Sequence, residues 1–359
     1  MAHSATWSPA PSFLCYPPAM TVRWGILGCG SVCEVKSGPP LRQVAGSEIA
    51  VVMRRDAAKA EDYARRHGVR RWTTDAAAVL SDPAVNAVYV ATPPDSHASY
   101  ALACAEAGKP CYVEKPMARH TPECERMLTA FGEAGLPLFV AYYRRALPRF
   151  LHVATLLRER RIGTPLTVTV RYSRHRSRED VGWRFEPERS GGGLLMDLGS
   201  HTLDVLDFLL GPIETVTGEA RRMDEGPGVE DTVVACGAFQ GGPLLSAAWS
   251  FAADEHRDEI EIAGERGRIS LSTFGDGPVV VTTDRGSESF QFTNPAGIHS
   301  HLVETIVAEL NGKRGACPST GRSALRTSRA LDAILAGYYD GRSDAFWLRA
   351  PGRGPETSP

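Results

Sequence analysis

The stretch VRWGILGCGSVC, residues 22–33, decides the fold of this chain. An apolar segment of strand length runs directly into a glycine-rich turn, and the turn opens a helix. Gly28 and Gly30 are the first two glycines of the pattern G-x-G-x-x-G/A, and Cys33 stands at the third small position. The first glycine permits a tight turn, and the second lets a diphosphate approach the backbone. We therefore expect dinucleotide contacts from Gly28, Gly30, Ser31 and Val32.

Short apolar runs alternate with helical patterns over the first part of the chain. The runs are continuous, which is typical of parallel strands buried on both faces, and they lie at Val22–Leu27, Ile49–Met53, Ala87–Ala91, Cys111–Val113 and Leu138–Ala141. Alanine-rich helical patterns lie between them, at about Ala57–His67, Ala76–Leu80, Ser96–Ala107 and Pro122–Ala134. This alternation predicts an α/β domain over residues 21–141, a Rossmann domain with a doubly wound parallel sheet.

The pattern changes after residue 141. Helical patterns at about Pro148–Arg161 and Leu194–Leu210 surround a strand at about Leu166–Ser173. Runs that often alternate apolar and polar residues follow, at Glu214–Arg222, Thr232–Phe239, Leu244–Phe251, Glu259–Ala263, Arg268–Ser272, Val279–Thr283 and Ser287–Phe292. Two helical patterns close the chain, at about His299–Asn311 and Ser323–Tyr338. Residues 142–341 should therefore form an α+β domain with a large, mostly antiparallel open sheet.

Composition limits the range of functions. A net charge of −2 over 359 residues offers no attraction for nucleic acid or an anionic membrane, and no apolar run reaches the length of a membrane span. The eight cysteines show no CxxC pair and no zinc-like Cys/His spacing, which indicates reduced thiols, a cytoplasmic location and no metal. Residues 1–20 are expected to be a disordered leader and residues 342–359 a C-terminal tail. Most of the short arginine clusters are expected on solvated helix faces; they are Arg54-Arg55, Arg65-Arg66, Arg70-Arg71 and Arg144-Arg145.

The end of the second strand bears on the choice of dinucleotide. NAD sites place an acidic side chain there for the ribose 2′-hydroxyl, whereas arginine accommodates the 2′-phosphate of NADP. Arg54 stands at the expected acidic position and Arg55 follows it, which favours NADP(H) while NAD(H) stays possible. The alternative is that both arginines point to solvent and Asp56 binds the hydroxyl.

The strand that ends near Ala91 leads into Thr92, Pro93 and Pro94. The prolines stiffen this loop as it leaves the sheet, and they can lie flat against a cofactor. We include all three residues in the cofactor site. His97, one turn into the following helix, is expected to be a structural residue or a neighbour of the cofactor.

The tripeptide Glu114-Lys115-Pro116 closes the apolar run Cys111–Val113. A lysine at the carboxyl end of a buried strand sits where open α/β sheets bind ligands. A lysine buried in such a place can exchange a proton, which a solvated lysine does poorly at neutral pH. We place Glu114 and Lys115 in the cofactor site and expect Lys115 to be catalytic as well. The alternative is a surface lysine that merely follows a strand.

Asp197 and His201 lie four residues apart at the start of a predicted helix, so both should project from one face. A carboxylate beside an imidazole can fix its tautomer and raise its basicity, and the imidazole can carry a proton near neutral pH. The alternative is a local pair on a wet helix, and a metal site is disfavoured because no third ligand is evident nearby. Asp204 and Asp207 are expected to face solvent.

The glycine turn, Ala-Thr-Pro-Pro, Glu-Lys-Pro and Asp-x-x-x-His occur in this order from about Thr21 to Gly341. Together they resemble the Gfo/Idh/MocA family of dinucleotide-dependent oxidoreductases, which includes glucose–fructose oxidoreductase-like members. The resemblance implies a catalytic group of Lys115, Asp197 and His201. It also implies a homodimer or homotetramer, because the open sheet of the second domain commonly mediates oligomer contacts in that family.

The resemblance further suggests a substrate pocket. Trp183-Arg184 is similar to the Trp-Arg pair that lines the pocket in 1,5-anhydro-D-fructose reductase-like members of the family. Tyr143-Arg144 aligns with the start of an Asn-Arg-Arg segment, although Tyr143 replaces the asparagine. We therefore expect Tyr143, Arg144, Trp183 and Arg184 to contact the substrate.

These features lead to one main hypothesis and two alternatives. The main hypothesis is reversible hydride transfer between NADP(H) and a carbonyl or hydroxyl carbon of a sugar-like, polyol or diol substrate. One alternative is a glycosidase that keeps NAD(H) bound, and the other is a regulatory protein that binds a dinucleotide without catalysis. Fold-level likeness does not distinguish substrates within such a family.

Overall fold

The computed structural model describes residues 20–175, 182–223 and 228–339. The expected C-terminal tail and all but the last residue of the expected leader lie outside these residues. Within them, no helix is both long enough and apolar enough to cross a membrane.

The first domain is built on a six-stranded sheet whose paired strands are all parallel. Its strands are β1 (Val22–Leu27), β2 (Ser47–Met53), β3 (Trp72–Thr73), β4 (Ala87–Val90), β5 (Cys111–Val113) and β6 (Leu138–Val140). The strand order is β3-β2-β1-β4-β5-β6, so the direction of winding reverses between β1 and β4. Ligands of such sheets bind beyond the carboxyl ends of the strands at that reversal. The predicted doubly wound fold is confirmed.

Helices cover both faces of this sheet. They are α1 (Ser31–Val35), α2 (Gly38–Gln43), α3 (Ala57–His67), α4 (Ala76–Leu80), α5 (His97–Glu106) and α6 (Thr121–Glu133). Successive residues of β4 face opposite ways, so Val88 and Tyr89 belong to two different apolar clusters. Burial on both faces explains why the strands are continuous apolar runs.

The second domain carries an eight-stranded sheet. Its strands are β7 (Pro165–Ser173), β8 (Ile213–Arg221), β9 (Thr232–Phe239), β10 (Leu244–Ser250), β11 (Arg257–Gly264), β12 (Gly267–Leu271), β13 (Val279–Thr283) and β14 (Gly286–Phe290). The order is β14-β13-β12-β11-β7-β10-β9-β8, and every pair except β7–β10 is antiparallel. The mostly antiparallel sheet is therefore confirmed.

Five helices accompany this sheet: α7 (Pro148–Arg158), α8 (Pro187–Ser190), α9 (Ser200–Leu210), α10 (Ser300–Leu310) and α11 (Gly321–Leu335). Helix α11 packs against β8 and α9 of its own domain and against α6 of the first domain. Helix α11 thus joins the two domains.

The expected solvent exposure of Asp204 and Asp207 is wrong, and the Arg144-Arg145 cluster is an exception to the exposure expected of most arginine clusters. Asp204 and Asp207 are buried on α9, and the Arg145 guanidinium donates to both carboxylates at 2.8–2.9 Å. Arg326 on α11 donates to Asp207 at 2.7 Å. Because α9 lies between α7 and α11, these charges are enclosed, and burial is tolerable only because each has a hydrogen-bonded partner of opposite sign.

Candidate active site

A cavity of about 780 Å³ opens at the carboxyl ends of β1, β2, β4 and β5, and its far wall comes from the second domain. Most residues expected in the site line it: Gly28, Gly30, Ser31, Val32, Arg54, Arg55, Thr92, Pro93, Glu114, Lys115, Tyr143, Arg144, Trp183, Arg184, Asp197 and His201. The fold therefore brings together side chains that lie more than 170 positions apart in the sequence.

Pro94 and His97 are expected in the cofactor site, but neither lines the cavity. His97 is fully buried, with Nε2 2.7 Å from the carbonyl oxygen of Thr92 and Nδ1 2.9 Å from that of Pro116. Both ring nitrogens thus contact main-chain carbonyl groups, one in the loop after β4 and one in the segment after Lys115. Its role is to support the cavity wall from behind.

The glycine turn fits a dinucleotide. Gly28 has φ +90°, and a Cβ there would lie 2.6 Å from Thr92 Cγ2, so a side chain is excluded by both conformation and space. Gly30 has no atom nearer than 3.9 Å to an added Cβ, so a side chain would grow into the cavity. The turn therefore leaves open the space that a diphosphate needs beside the backbone.

Cationic side chains gather at the end of the cavity beside β2. Arg54, Arg55 and Lys59 all line it, and Arg54 Nη1 donates to the carbonyl of Cys29 at 3.3 Å. Asp56, the alternative ligand for a ribose hydroxyl, instead accepts the Lys59 amide at 3.1 Å as the N-cap of α3. The Lys59 ammonium also lies 3.3 Å from the same carboxylate.

Lys115, at the end of β5, contacts Asp197 of the second domain. Its Nζ donates to the main-chain carbonyl of Asp197 at 2.8 Å and to Oδ1 of the carboxylate. Arg184 Nε donates to the other carboxylate oxygen at 3.0 Å and lies over the Trp183 ring. Burial raises the pKa of Asp197, but the charges and hydrogen bonds of Lys115 and Arg184 outweigh it and hold that pKa well below its usual range.

The expected pairing of Asp197 with His201 is not present. Residues Leu195–Gly199 form a π-helical turn before α9, so the relation of i and i+4 side chains differs from that in an α-helix. His201 Nδ1 is buried and has no hydrogen-bond partner among the described residues. Asp197 therefore positions Lys115, and aromatic neighbours position His201 instead.

His201 is enclosed by rings and faces cations. The rings of Tyr142, Tyr143 and Phe274 lie 5.4–6.0 Å from its own, in edge contacts. Burial, followed by the positive charges of Arg144, Lys115 and Lys36, lowers the pKa of His201 well below its usual value. The imidazole is thus neutral at neutral pH and can accept a proton.

Lys36, Phe274 and His299 also line the cavity, although they were not predicted from the sequence. His299 is 1% exposed, and its Nδ1 lies 2.8 Å from the hydroxyl of Tyr112. Lys36 follows the helix that the glycine turn opens, which is a usable sequence signal. Phe274 and His299 have no such signal in the sequence, because they lie in loops of the second domain that reach the cavity only after folding. No group of three or more potential metal ligands occurs among the described residues.

A Rossmann sheet with a glycine turn, joined to an open-sheet domain that closes one shared cavity, defines a dinucleotide-dependent oxidoreductase. Residues 22–142 match the oxidoreductase family with an NAD-binding Rossmann fold, and residues 150–270 match the GFO/IDH/MocA C-terminal domain. The chain belongs to the Gfo/Idh/MocA family.

Curated relatives cover most of the chain. An oxidoreductase of Formosa agariphila is 36% identical over 291 residues, which is 80% of this chain and 90% of that protein. The 1,5-anhydro-D-fructose reductase of Ensifer adhaerens is 28% identical over 308 residues, 84% of this chain and 92% of that enzyme. The aldose-aldose oxidoreductase of Caulobacter crescentus, solved with glycerol, shares the fold with a TM-score of 0.79, at 23% identity over 90% of this chain and 98% of that one.

The enclosure of His299 predicts a pH-dependent stability. Burial and the charges of Lys36, Arg144 and Lys115 lower its pKa from 6.5 to about 3. Between these values the unfolded chain binds a proton that the folded chain does not, so stability is lost as pH falls below 6.5. At about pH 5 this group should cost about 2 kcal/mol.

Urea unfolding of the wild type and of His299→Gln, from pH 7 to pH 5, measures this dependence. The variant should lose less stability on acidification than the wild type. His301→Gln, which removes a half-exposed histidine from α10, is the control and should follow the wild type. Equal slopes for all three proteins would contradict a neutral buried imidazole at position 299.

Proposed function

We propose that the protein transfers a hydride between a nicotinamide dinucleotide, NADP(H) by preference, and a carbonyl or hydroxyl carbon of a sugar, polyol or diol. One observation carries the proposal: Lys115, Asp197 and His201, from two domains, line the same cavity as the glycine turn. The names of relatives such as 1,5-anhydro-D-fructose reductase support a sugar-like substrate.

The dinucleotide, when bound, supplies or accepts the hydride. Lys115 directs N–H groups at two oxygens of Asp197, which leaves its third for a substrate oxygen, where it would stabilise developing negative charge. Asp197 keeps this ammonium in place. Neutral His201 would accept the hydroxyl proton during oxidation and return it during reduction. Trp183 and Arg184, beside Asp197, would contact the substrate.

NADP(H) is favoured over NAD(H) by the charges beside β2. Arg54, Arg55 and Lys59 would surround a 2′-phosphate, and guanidinium groups suit phosphate oxygens. The hydroxyl-binding alternative needs Asp56, and that carboxylate already caps α3 and pairs with Lys59.

Two other functions make different demands. A glycosidase that uses a bound NAD(H) would copurify with its cofactor and hydrolyse a glycoside without net change in nicotinamide absorbance. A regulatory protein would need none of the proton-transfer residues. This chain has Lys115, Asp197 and His201, and it has arginines beside β2 that suit the 2′-phosphate of NADP. Both features support an oxidoreductase.

We further propose assembly through the second sheet and a cytoplasmic location. Val234 and Leu244 lie on one face of the neighbouring strands β9 and β10, and each is at least half exposed. Covering them by a second copy would give the expected homodimer or homotetramer, which a mass measurement in solution decides. The seven described cysteines are free thiols, in keeping with a reducing compartment.

Replacement of the proton-transfer residues tests the function. Lys115→Ala and His201→Ala should each lower kcat by about 10²–10⁴-fold, because positioned acid–base groups contribute that much. Both variants should still bind NADPH in a fluorescence titration. Lys313→Ala, which removes an exposed lysine outside the cavity lining, is the control and should retain wild-type turnover. Full turnover in both site variants would refute the assignment.

The cofactor preference has its own test. Arg54→Ala should weaken NADPH binding by about ten- to a hundredfold, because a charged hydrogen bond is lost, and should leave NADH binding nearly unchanged. Arg65→Ala removes an equal charge from α3 at a position outside the cavity lining, and it should affect neither nucleotide. A tenfold or greater preference of the wild type for NADH would reject the role given to Arg54.

A further inference from the structure

Arg144 is a buried arginine without an anionic partner. It is 5% exposed and lines the cavity. Its Nε donates to the carbonyl of Thr273 at 2.9 Å, but neither terminal nitrogen has a hydrogen-bond partner among the described residues, and Nη1 is fully buried. No carboxylate in the described part of the chain forms an ion pair with it. A buried charge of this kind costs free energy unless something binds it.

The guanidinium is held in a fixed orientation. Its carbon lies 4.8 Å from the centre of the Tyr143 ring and 4.5 Å from that of Phe274. Phe274 belongs to the loop 273–275, whose three main-chain N–H groups donate to the carboxylate of Asp258 at 2.6–2.9 Å. Asp258 therefore stabilises the loop 273–275, and this loop holds Arg144 through the Thr273 carbonyl and the Phe274 ring.

Other buried arginines show how unusual this arrangement is. Arg119 pairs with Glu123, and Arg145 pairs with Asp204 and Asp207. Arg149 has no carboxylate either, but its terminal nitrogens donate to the oxygens of residues 272, 273 and 275, and it does not line the cavity. Arg144 alone among these four combines burial, free terminal nitrogens and access to the cavity.

The carboxylates of the cavity near Arg144 are already committed. Asp197 is shared between Lys115 and Arg184. Glu114 accepts hydrogen bonds from the Tyr89 hydroxyl at 2.5 Å and from the Lys115 amide at 3.1 Å, and burial raises its pKa. This half of the cavity thus presents uncompensated positive charge to whatever enters it.

We propose that Arg144 binds a carboxylate of the substrate, and that the substrates of this enzyme are sugar acids such as uronic or aldonic acids. The inference rests on the proposed function and narrows its substrate class. The terminal nitrogen Nη2 is free and accessible to a carboxylate oxygen, and the positive charge of the buried guanidinium complements the anion. The flanking rings keep water away and strengthen the contact.

Binding of an anion would also act on the proton acceptor. Arg144 is one of the cations that lower the pKa of His201. A carboxylate on Arg144 would offset that charge and move the pKa of His201 back toward its usual range. An acidic substrate would thus make His201 a stronger proton acceptor, and a neutral sugar would not.

Matched substrate pairs test the proposal. The wild-type holoenzyme is assayed with D-glucuronate and D-glucose, D-galacturonate and D-galactose, and D-gluconate and D-glucitol, with D-glucose 6-phosphate as the phosphate comparison. The acid of at least one pair should be preferred in kcat/KM by about thirtyfold or more, since a buried charged contact is worth that much. Arg144→Gln should remove this preference mainly through KM of the acid.

Two further variants guard against structural effects. Arg144→Lys keeps the charge but loses the planar guanidinium geometry, and it should retain part of the preference. Arg189→Gln removes a partly exposed arginine outside the cavity lining and should behave as wild type. Calorimetric titration of the enzyme–NADPH complex with the same compounds gives a second readout that does not depend on turnover.

The outcomes separate this inference from the proposed function. Equal or better turnover of the neutral sugars, preference for the phosphate ester, or a preference that survives Arg144→Gln would overturn the carboxylate site alone. No turnover of any compound, with Arg144-dependent binding of an acid, would overturn the proposed function and keep the site. Absence of turnover together with absence of acid binding would overturn the carboxylate site.

Discussion

A polar contact between Lys115 and Asp197 joins the two domains across the cavity. The Lys115 ammonium, at the end of β5, reaches both the main chain and the side chain of Asp197 in the second domain. Both side chains are largely buried, at 15% and 18% exposure, so the contact adds little net stability once desolvation is counted. Its value is positional. The carbonyl and the carboxylate of Asp197 take two of the three N–H groups of Lys115, which leaves the third for the cavity, and Arg184 holds the other carboxylate oxygen.

The surrounding packing makes this contact possible. Strand β5 pairs with β4 on one side and with the edge strand β6 on the other, so Lys115 follows a fully buried strand. On the other side, the π-helical turn before α9 presents Asp197. Helix α11 packs on α6 of the first domain and on α9 of the second, so it holds the domain that carries Lys115 against the domain that carries Asp197. Charge then divides the cavity, with arginines at the β2 end and an uncompensated guanidinium at the Arg144 end.

Much of this arrangement was predictable, and the failures have physical causes. Buried parallel strands leave continuous apolar runs, so β1 and β5 were predicted at their observed bounds. Strand β3 was missed because it has only two residues and its Trp72 is exposed. The environment of Asp204 was wrong because its partner, Arg145, is 59 positions away. The predicted pairing of Asp197 with His201 was wrong because the π-helical turn at Leu195–Gly199 has no recognisable sequence pattern.

The central claim is that Lys115, held by Asp197, faces the reacting carbon of the cofactor. A crystal structure of the protein with NADP⁺ bound tests it most directly. The account predicts that the nicotinamide ring lies between the glycine turn and His201, with the Lys115 ammonium beside its C4 edge and still bonded to Asp197. A nicotinamide that points elsewhere, or a Lys115 side chain that leaves Asp197 and turns out of the cavity, would contradict the account.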